Sequence, residues 1–446
     1  MKTSTSLRPV VLALVAMGFS QQPAAKDLSE TTGLLDWATD GAELQPLEKD
    51  YGVKWGGWLD TGVSANMGSS KWNGPVTFSD RSGELQMNQF YLYVERAVAA
   101  EGDDWDVGGR FDFMYGTDAF YTQAYGAPQG NWDLNLVNRN FPSPGGQGYG
   151  LYRMALPQAY ASVFMPFGNG ITAKIGHFYT PIGNEVVTAP DNFFYSHAYT
   201  MQFGEPFTHT GALFSYPFDQ NWTAIGGVVT GAVTGGWDGG FNQGLGNWDG
   251  LGGITWTSDD KGTSLFASGT TGPTSEQNSA NWSLYSLVLK HDIIDGLHLT
   301  MQHDHGYANN VNGLQGQNDE WYGLNNYLVY DIQDNLGIGI RGEWFRDDGA
   351  LATMVGPDGS ISNNGFGRGF SPARVGSASP AARWYGITLG LNYKPVKWAI
   401  VRPNLRYDFV DGPGDYKPFN NQGYDQGYAG TRTSQFLIST DVVFTF

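Results

Sequence analysis

The sequence predicts an all-β protein: a transmembrane, antiparallel, up-and-down β-barrel of about sixteen strands (14–18), with long extracellular loops and short periplasmic turns. Three observations predict it. The chain closes on a two-faced strand, the same two-faced pattern recurs along its length, and the links between such segments alternate short and long. In the closing strand, Phe436, Ile438, Thr440, Val442, Phe444 and Phe446 form an almost wholly apolar set, interleaved with the mixed set Leu437, Ser439, Asp441, Val443 and Thr445. That is the two-residue period of a strand whose faces meet different surroundings. Soluble chains usually fray into polar residues at their ends, whereas a barrel's last strand must seal against its first. Phe446 is therefore expected at the periplasmic rim, as the signal read by the barrel assembly machinery.

From the other end, Met1–Arg8 carries Lys2 and Arg8 and no acid, followed by the apolar run Val10–Phe19 and then small or polar residues. This is the layout of a secretory signal peptide and is too short to span a membrane as a helix. Cleavage fits after Ser20 or after Ala25. The expected organisation is a signal peptide over 1–25, a periplasmic lead-in over 26–50 and the barrel over 51–446. Cysteine is absent, which excludes disulfides, thiolate zinc sites, cysteine nucleophiles and a lipoprotein anchor.

Strands are expected at 53–66, 85–98, 104–116, 152–165, 170–179, 208–216, 221–231, 247–257, 263–270, 282–291, 296–305, 321–331, 335–346, 383–393, 398–409 and 435–446. Gly, Asn, Asp and Pro clusters separate them. In the third, Trp105, Val107, Phe111, Phe113 and Tyr115 share one face; Asp106, Arg110 and Asp112 share the other. Leu336, Ile338, Ile340 and Trp344 likewise oppose Arg341 and Glu343. Leu405, Tyr407 and Phe409 oppose Arg402, Arg406 and Asp408, with Pro403 marking a weak point or a bulge. In a barrel the aromatic faces meet lipid and the charged faces line a wet lumen. Pro217–Gln220 and Asp331–Asn335 read as short turns. Thr117–Gly150, Ile182–Phe207, His305–Glu320, Asp347–Arg383 and Val410–Thr433 read as long loops. Trp55, Trp58, Trp105, Trp222, Trp248, Trp282, Trp321, Trp344, Trp384 and Trp398 fall mostly near strand ends, as interfacial girdles would.

Composition sets further bounds. Glycine supplies 63 of 446 residues, about twice its usual share, which suits many short strands and loops. No apolar run beyond the leader approaches the roughly 20 residues of a membrane helix, so a membrane form must be a closed barrel. The net charge of −18 argues against nucleic acid and anionic lipid surfaces as partners. It suits solvated loops, and equally cation-preferring transport or divalent-cation binding.

One stretch is distinctive: Gly176–Glu185 (GHFYTPIGNE), Ala189–Tyr199 (APDNFFYSHAY) and Phe203–Gly211 (FGEPFTHTG), with Asn88–Arg96 (NQFYLYVER) upstream. It resembles the β-barrel porin family of the OmpL-like type, found in the outer membranes of bacteria. The resemblance implies a barrel with a water-filled channel for passive diffusion of small hydrophilic solutes or ions. It implies no catalytic residues and no cofactor. Outer-membrane lipid is the implied surrounding, and a homotrimer is an open possibility with no face marked for it.

By analogy with porins, whose long loop after an early strand turns inward and narrows the pore, Ile182–Phe207 offers Glu185, Asp191, His197 and Glu205 as constriction residues. The wall candidates are Arg110, Asp112, Lys174, Arg341, Glu343, Arg402 and Arg406. Opposed charges there would set a transverse field on permeant ions. Other chemistry is poorly supported. His303 and His305 could share a metal, yet they continue the apolar face of Leu297, Leu299 and Met301. The Asp411–Asp415 and Asn420–Asp425 loops have oxygen ligands suited to calcium, but these residues are ordinary loop formers. Ser196 and His197 are adjacent and would point to opposite faces of a strand, and neither GxSxG nor HExxH occurs. Two alternatives stand beside the porin: a non-conducting barrel for adhesion or surface binding, and an exported soluble β-sandwich binding carbohydrate. Heat-modifiable gel migration separates sandwich from barrel, and liposome swelling separates the two barrels.

Overall fold

The computed structural model describes residues 51–446 apart from 100, 125–132, 134–151, 231–235, 240–247, 274–280, 310–317, 349–380 and 421–429. The segments expected to be a signal peptide (1–25) and a lead-in (26–50), and parts of the long loops, lie outside the described residues.

The strands are β1 (Val53–Asn66), β2 (Leu85–Arg96), β3 (Asp106–Gly116), β4 (Arg153–Ala155), β5 (Ala159–Met165), β6 (Ile171–Tyr179), β7 (Thr208–Pro217), β8 (Trp222–Thr230), β9 (Trp248–Thr257), β10 (Thr263–Pro273), β11 (Asn281–Ile294), β12 (Leu297–Asn309), β13 (Asp319–Gln333), β14 (Leu336–Asp347), β15 (Ala382–Val396), β16 (Ala399–Asp411) and β17 (Ser434–Thr445). One turn of helix, α1 (Ala119–Thr122), follows β3. Both β4 and β5 pair with β3, the first at Met114–Gly116 and the second at Asp106–Phe111, so together they fill one wall position. β17 returns to β1, with Leu59 opposite Phe444 and Thr61 opposite Val442. Gly57 and Phe446 exchange backbone hydrogen bonds of 2.9 Å in both directions. The result is a closed, antiparallel barrel of sixteen strands with no open edge.

The two-residue period places side chains as the sequence predicts. On β16, Arg402, Asn404, Arg406 and Asp408 are buried, while Leu405, Tyr407 and Phe409 are exposed on the outer wall. On β17, Ser439 and Asp441 face in and Phe436 and Ile438 face out. Pro403 sits opposite Thr440 without any shift of register; the irregularity in the β15–β16 ladder lies between Tyr393 and Val396. The His305–Glu320 loop is shorter than expected, because β12 continues to Asn309. His303 and His305 alternate with the buried Gln302 and Asp304 and so lie on the outer face, where His305 stacks on Tyr322 at 4.6 Å.

The tryptophans correct the girdle reading. Trp105, Trp222 and Trp248 are exposed on the outer wall, but Trp58, Trp282, Trp321 and Trp384 are 5% exposed or less. These four occupy inward positions of their strands, in step with buried residues such as Asp60, Leu284, Asn325 and Thr388. Position near a strand end does not say which face a residue takes, and these rings pack inside. Trp282, Trp321 and Trp384 join Tyr199, Phe203, Val229, Leu251, Phe345 and Phe419 in one buried cluster. Trp58, Phe78, Tyr91, Met114, Met201 and Val443 belong to a second. A sixteen-strand barrel has room for water along its axis; here apolar side chains and a long loop occupy much of that room.

Candidate functional site

The loop from Thr180 to Phe207 joins β6 to β7, the fifth and sixth wall positions, and turns into the barrel. Its base is closed by Thr180 N–H donating to Phe207 O at 2.9 Å. The turn at Thr180-Pro-Ile-Gly183 works because Gly183 has φ +89°, and because a Cβ there would stand 2.1 Å from a Glu205 carboxylate oxygen. Only glycine meets both demands. Gly183→Ala is expected to cost about 1–3 kcal/mol, read as a lower temperature for converting the folded to the heat-modified gel band.

Inside, the loop is held by charge. Glu185 Oε1 accepts from Arg341 Nη1 at 2.7 Å and from the Tyr327 hydroxyl at 3.0 Å. Its Oε2 accepts from Ala198 N–H at 2.8 Å and lies 3.2 Å from His197 Nδ1. Arg341 also donates to Ser196 O at 2.6 Å and to Thr388 Oγ1 at 3.1 Å. Arg406 donates to His197 O at 2.6 Å and pairs with Asp408 at 2.8 Å and Glu343 at 3.1 Å. Glu343 in turn accepts Tyr199 N–H at 2.6 Å. Farther along, Arg402 clasps Asp441 and donates to Ala189 O at 2.5 Å and Asn192 O at 2.8 Å. Glu205 accepts from Gln302, and Trp321 Nε1 donates to Gly204 O at 3.0 Å.

Burial alone would raise the Glu185 carboxyl, but the Arg341 guanidinium, His197 and the Ala198 amide outweigh it and bring its pKa from 4.5 down to about 2. A depressed carboxylate stabilises the fold above its unfolded pKa and loses that contribution as pH falls through the folded value. Its charged and titratable surroundings are Arg341, His197, Tyr327, Glu343 and, farther off, Glu205. The loop should therefore stay anchored from neutrality to about pH 4.5 and loosen toward pH 2. Pepsin cleavage within the Phe193–Phe194 segment should rise over that acid window, and Glu185→Gln should remove the step.

The family profile described as "Putative beta-barrel porin-2, OmpL-like" matches residues 52–446. The chain belongs to that family. Among solved structures this OmpL-like barrel is similar to Pseudomonas putida OprB, at TM-score 0.53 and 13% identity over 94% of this chain and 99% of that one. It is similar to the anion-selective porin from Comamonas acidovorans, at TM-score 0.52 and 12% identity over 88% and 99%. It also resembles the outer membrane channel DcaP of Acinetobacter baumannii, at TM-score 0.51 and 10% identity over 88% and 97%. At such identities the likeness is one of fold. No curated protein matches the chain.

In this OmpL-like barrel the expected residues divide into those the loop brings together and those it does not. Glu185, His197, Arg341, Glu343 and Arg406 form one network; Arg402 holds the loop backbone separately. Asp191 turns back onto its own loop, accepting from Thr188 Oγ1 at 2.5 Å. Arg110 and Lys174 do not reach the loop among the described contacts. Arg110 pairs with Asp112 at 2.8 Å and Glu95 at 3.2 Å, and Lys174 lies 5.0 Å over the Tyr160 ring. The loop instead leans toward β11–β17 and β1–β2. Ser196 and His197 lie in the loop, not on a strand; Ser196 Oγ is 3.2 Å from Arg341 Nη2, and His197 faces Glu185. The residues missed are Asp60, Asp118, Asp304, Tyr327 and Trp321, all buried against the loop. Inward parity on β1, β12 and β13 was the available signal for four of them.

Proposed function

We propose that the protein is an outer-membrane porin, a channel for passive diffusion of small hydrophilic solutes or ions, with the Thr180–Phe207 loop as its constriction. The observation that carries this reading is the loop itself, anchored inside a sixteen-strand barrel by Glu185, Arg341, Arg402 and Arg406. Charged groups on both loop and wall pair with one another and so fix the loop inside the barrel. The family and the fold favour a channel over an enzyme. The reading includes secretion by the leader over 1–25, and the closing strand with Phe446, already bridged to Gly57, as the segment the assembly machinery reads. A homotrimer is the assembly we favour. The decisive measurement is single-channel conductance of purified protein with liposome swelling in a sugar series. Glu185→Gln, which weakens the tie between the loop and Arg341, should alter conductance or ion preference; unchanged values would sink the constriction.

The packed aromatic clusters favour a second reading, a barrel that stays shut and acts through its surface loops. Folded, heat-modifiable protein that neither swells liposomes nor passes current would establish it in place of the first.

A further inference from the structure

The connection between β1 and β2, residues 67–84, emerges at the same end of the barrel as the Thr180–Phe207 loop and folds into the mouth as a short hairpin. Asn73 N–H donates to Asp80 O at 2.8 Å, Ser82 N–H donates to Lys71 O at 2.9 Å, and Trp72 bridges to Arg81. The base of the hairpin is fastened to its surroundings. Asn73 Nδ2 donates to Ser64 Oγ at 3.0 Å, Gln435 Nε2 to Asn73 O at 3.0 Å and the Tyr121 hydroxyl to Asp80 Oδ2 at 2.8 Å.

The tip, Gly74–Ser79, is fastened differently. Val76, Thr77, Phe78 and Ser79 are all buried. The polar tie to the constriction loop runs through one side chain, Gln202, whose Oε1 accepts from Thr77 N–H at 2.5 Å and from Thr77 Oγ1 at 2.7 Å. The rest is ring contact. The Phe78 ring lies 4.6 Å from the ring of His197 and 5.8 Å from that of Phe207, both in the loop, and 5.1 Å from Tyr121 of α1. Val76 joins the buried cluster that holds Tyr199 and Phe203 of the loop. The tip therefore covers the loop at His197 and Gln202.

This closed contact is strained. Phe78 has φ +65°, a left-handed backbone that a bulky residue seldom adopts and keeps only where its surroundings enforce it. At the other end of the tip, a Cβ on Gly74 would meet nothing within 4 Å, so the chain has room to turn there. A few loop residues of this kind suffice to absorb the dihedral change of a hinge. The base is thus held on three sides, while the tip rests on one amide side chain and one ring.

We infer that Gly74–Ser79 is a lid over the constriction, latched by Thr77 on Gln202 and by the Phe78 ring on His197, and that it swings off the loop for the barrel to conduct. This rests on the channel reading proposed above. In the shut arrangement the ring and the two hydrogen bonds close the way past the loop. In the open one Phe78 leaves the left-handed region, Gln202 takes water in place of Thr77, and the base stays where it is.

The test uses the full-length chain, which has no cysteine, so a pair of introduced thiols reacts alone. Thr77→Cys is combined with Gln202→Cys and bridged by a bis-methanethiosulfonate, whose short spacer replaces the reach of the Gln202 side chain and is cleaved by reductant. Asn221→Cys with Asp259→Cys, at an exposed pair of turns where the native side chains lie 2.7 Å apart, is the control. Bridging should remove most of the planar-bilayer current, reductant should restore it, and the control should hold its current throughout. Heat-modifiable migration checks that each variant is folded. Where the thiol pair does not fold, Phe78→Asn decides, since asparagine tolerates the left-handed region and carries no ring. Its ratio of open to shut time should rise about tenfold, as for exposing one buried phenyl ring. Full current through the bridged pair, thiols that the reagent never reaches in a conducting barrel, or wild-type gating in Phe78→Asn overturns the lid and leaves the porin reading intact. Folded protein that passes no current as wild type, as the unbridged pair and as Phe78→Asn alike overturns both.

Discussion

Arg341→Met should raise single-channel conductance and lower the temperature of heat modification more than any other single change at a charged residue. Arg341 is fully buried on β14, and its guanidinium serves Glu185, Ser196 and Thr388 at once, with the Phe194 ring 5.3 Å from its centre. Removing it strands Glu185, which keeps no arginine, while Glu343 keeps Arg406. Breaking a buried pair from one side typically costs about 3–5 kcal/mol, because the partner charge stays in a poor solvent. Glu185→Gln leaves a neutral acceptor in place and should cost less, about 1–3 kcal/mol. The double variant should recover part of the Arg341 loss, since it no longer buries a lone carboxylate. Conductance should follow the same order, because the Glu185–Arg341 contact ties the middle of the loop to the wall. Wild-type conductance and thermal behaviour in Arg341→Met would show that the loop is held elsewhere.

The wall was far more legible in the sequence than what fills it. A strand facing lipid on one side and lumen on the other must alternate, so β1 was bounded at 53–66, as observed, and Arg341, Arg402 and Arg406 were placed inward. The loop's length and charge singled out Glu185 and His197. Nothing in the alternation tells which part of the wall a loop will lean on, so Arg110 and Lys174 looked as eligible as Arg341. That choice is made by sockets. A Cβ at Gly339 would stand 2.6 Å from the Phe193 ring, one at Gly390 2.8 Å from Phe194, and one at Gly62 2.4 Å from the Tyr195 hydroxyl. Glycines at inward positions of β1, β14 and β15 thus receive the consecutive aromatics Phe193-Phe-Tyr195. In sequence these glycines were indistinguishable from others of a glycine-rich chain. Only their parity, set beside an aromatic loop, carries the information.

Trp321→Ala should open the apolar side of the same constriction. The indole is fully buried, edge-on to Trp237 at 5.8 Å and tilted against Trp282 at 5.1 Å, and it donates to Gly204 O from within the loop. It lies over Gly306, where a Cβ would stand 1.8 Å from the ring. Deleting a buried indole removes its transfer energy and leaves a cavity, together about 3–5 kcal/mol when the surroundings cannot collapse. Collapse is limited here because the strands on either side are fixed by the closed ladder, so the vacated space should persist and admit water beside the Gly204 carbonyl. The barrel should lose thermal stability and gain conductance, and liposomes should swell faster in sugars that wild type passes slowly. Trp105→Ala, exposed on the outer wall, should leave conductance unchanged while weakening contact with lipid. Equal conductance in Trp321→Ala and wild type, with the expected loss of stability, would mean that the aromatic cluster holds the barrel together without controlling passage through it.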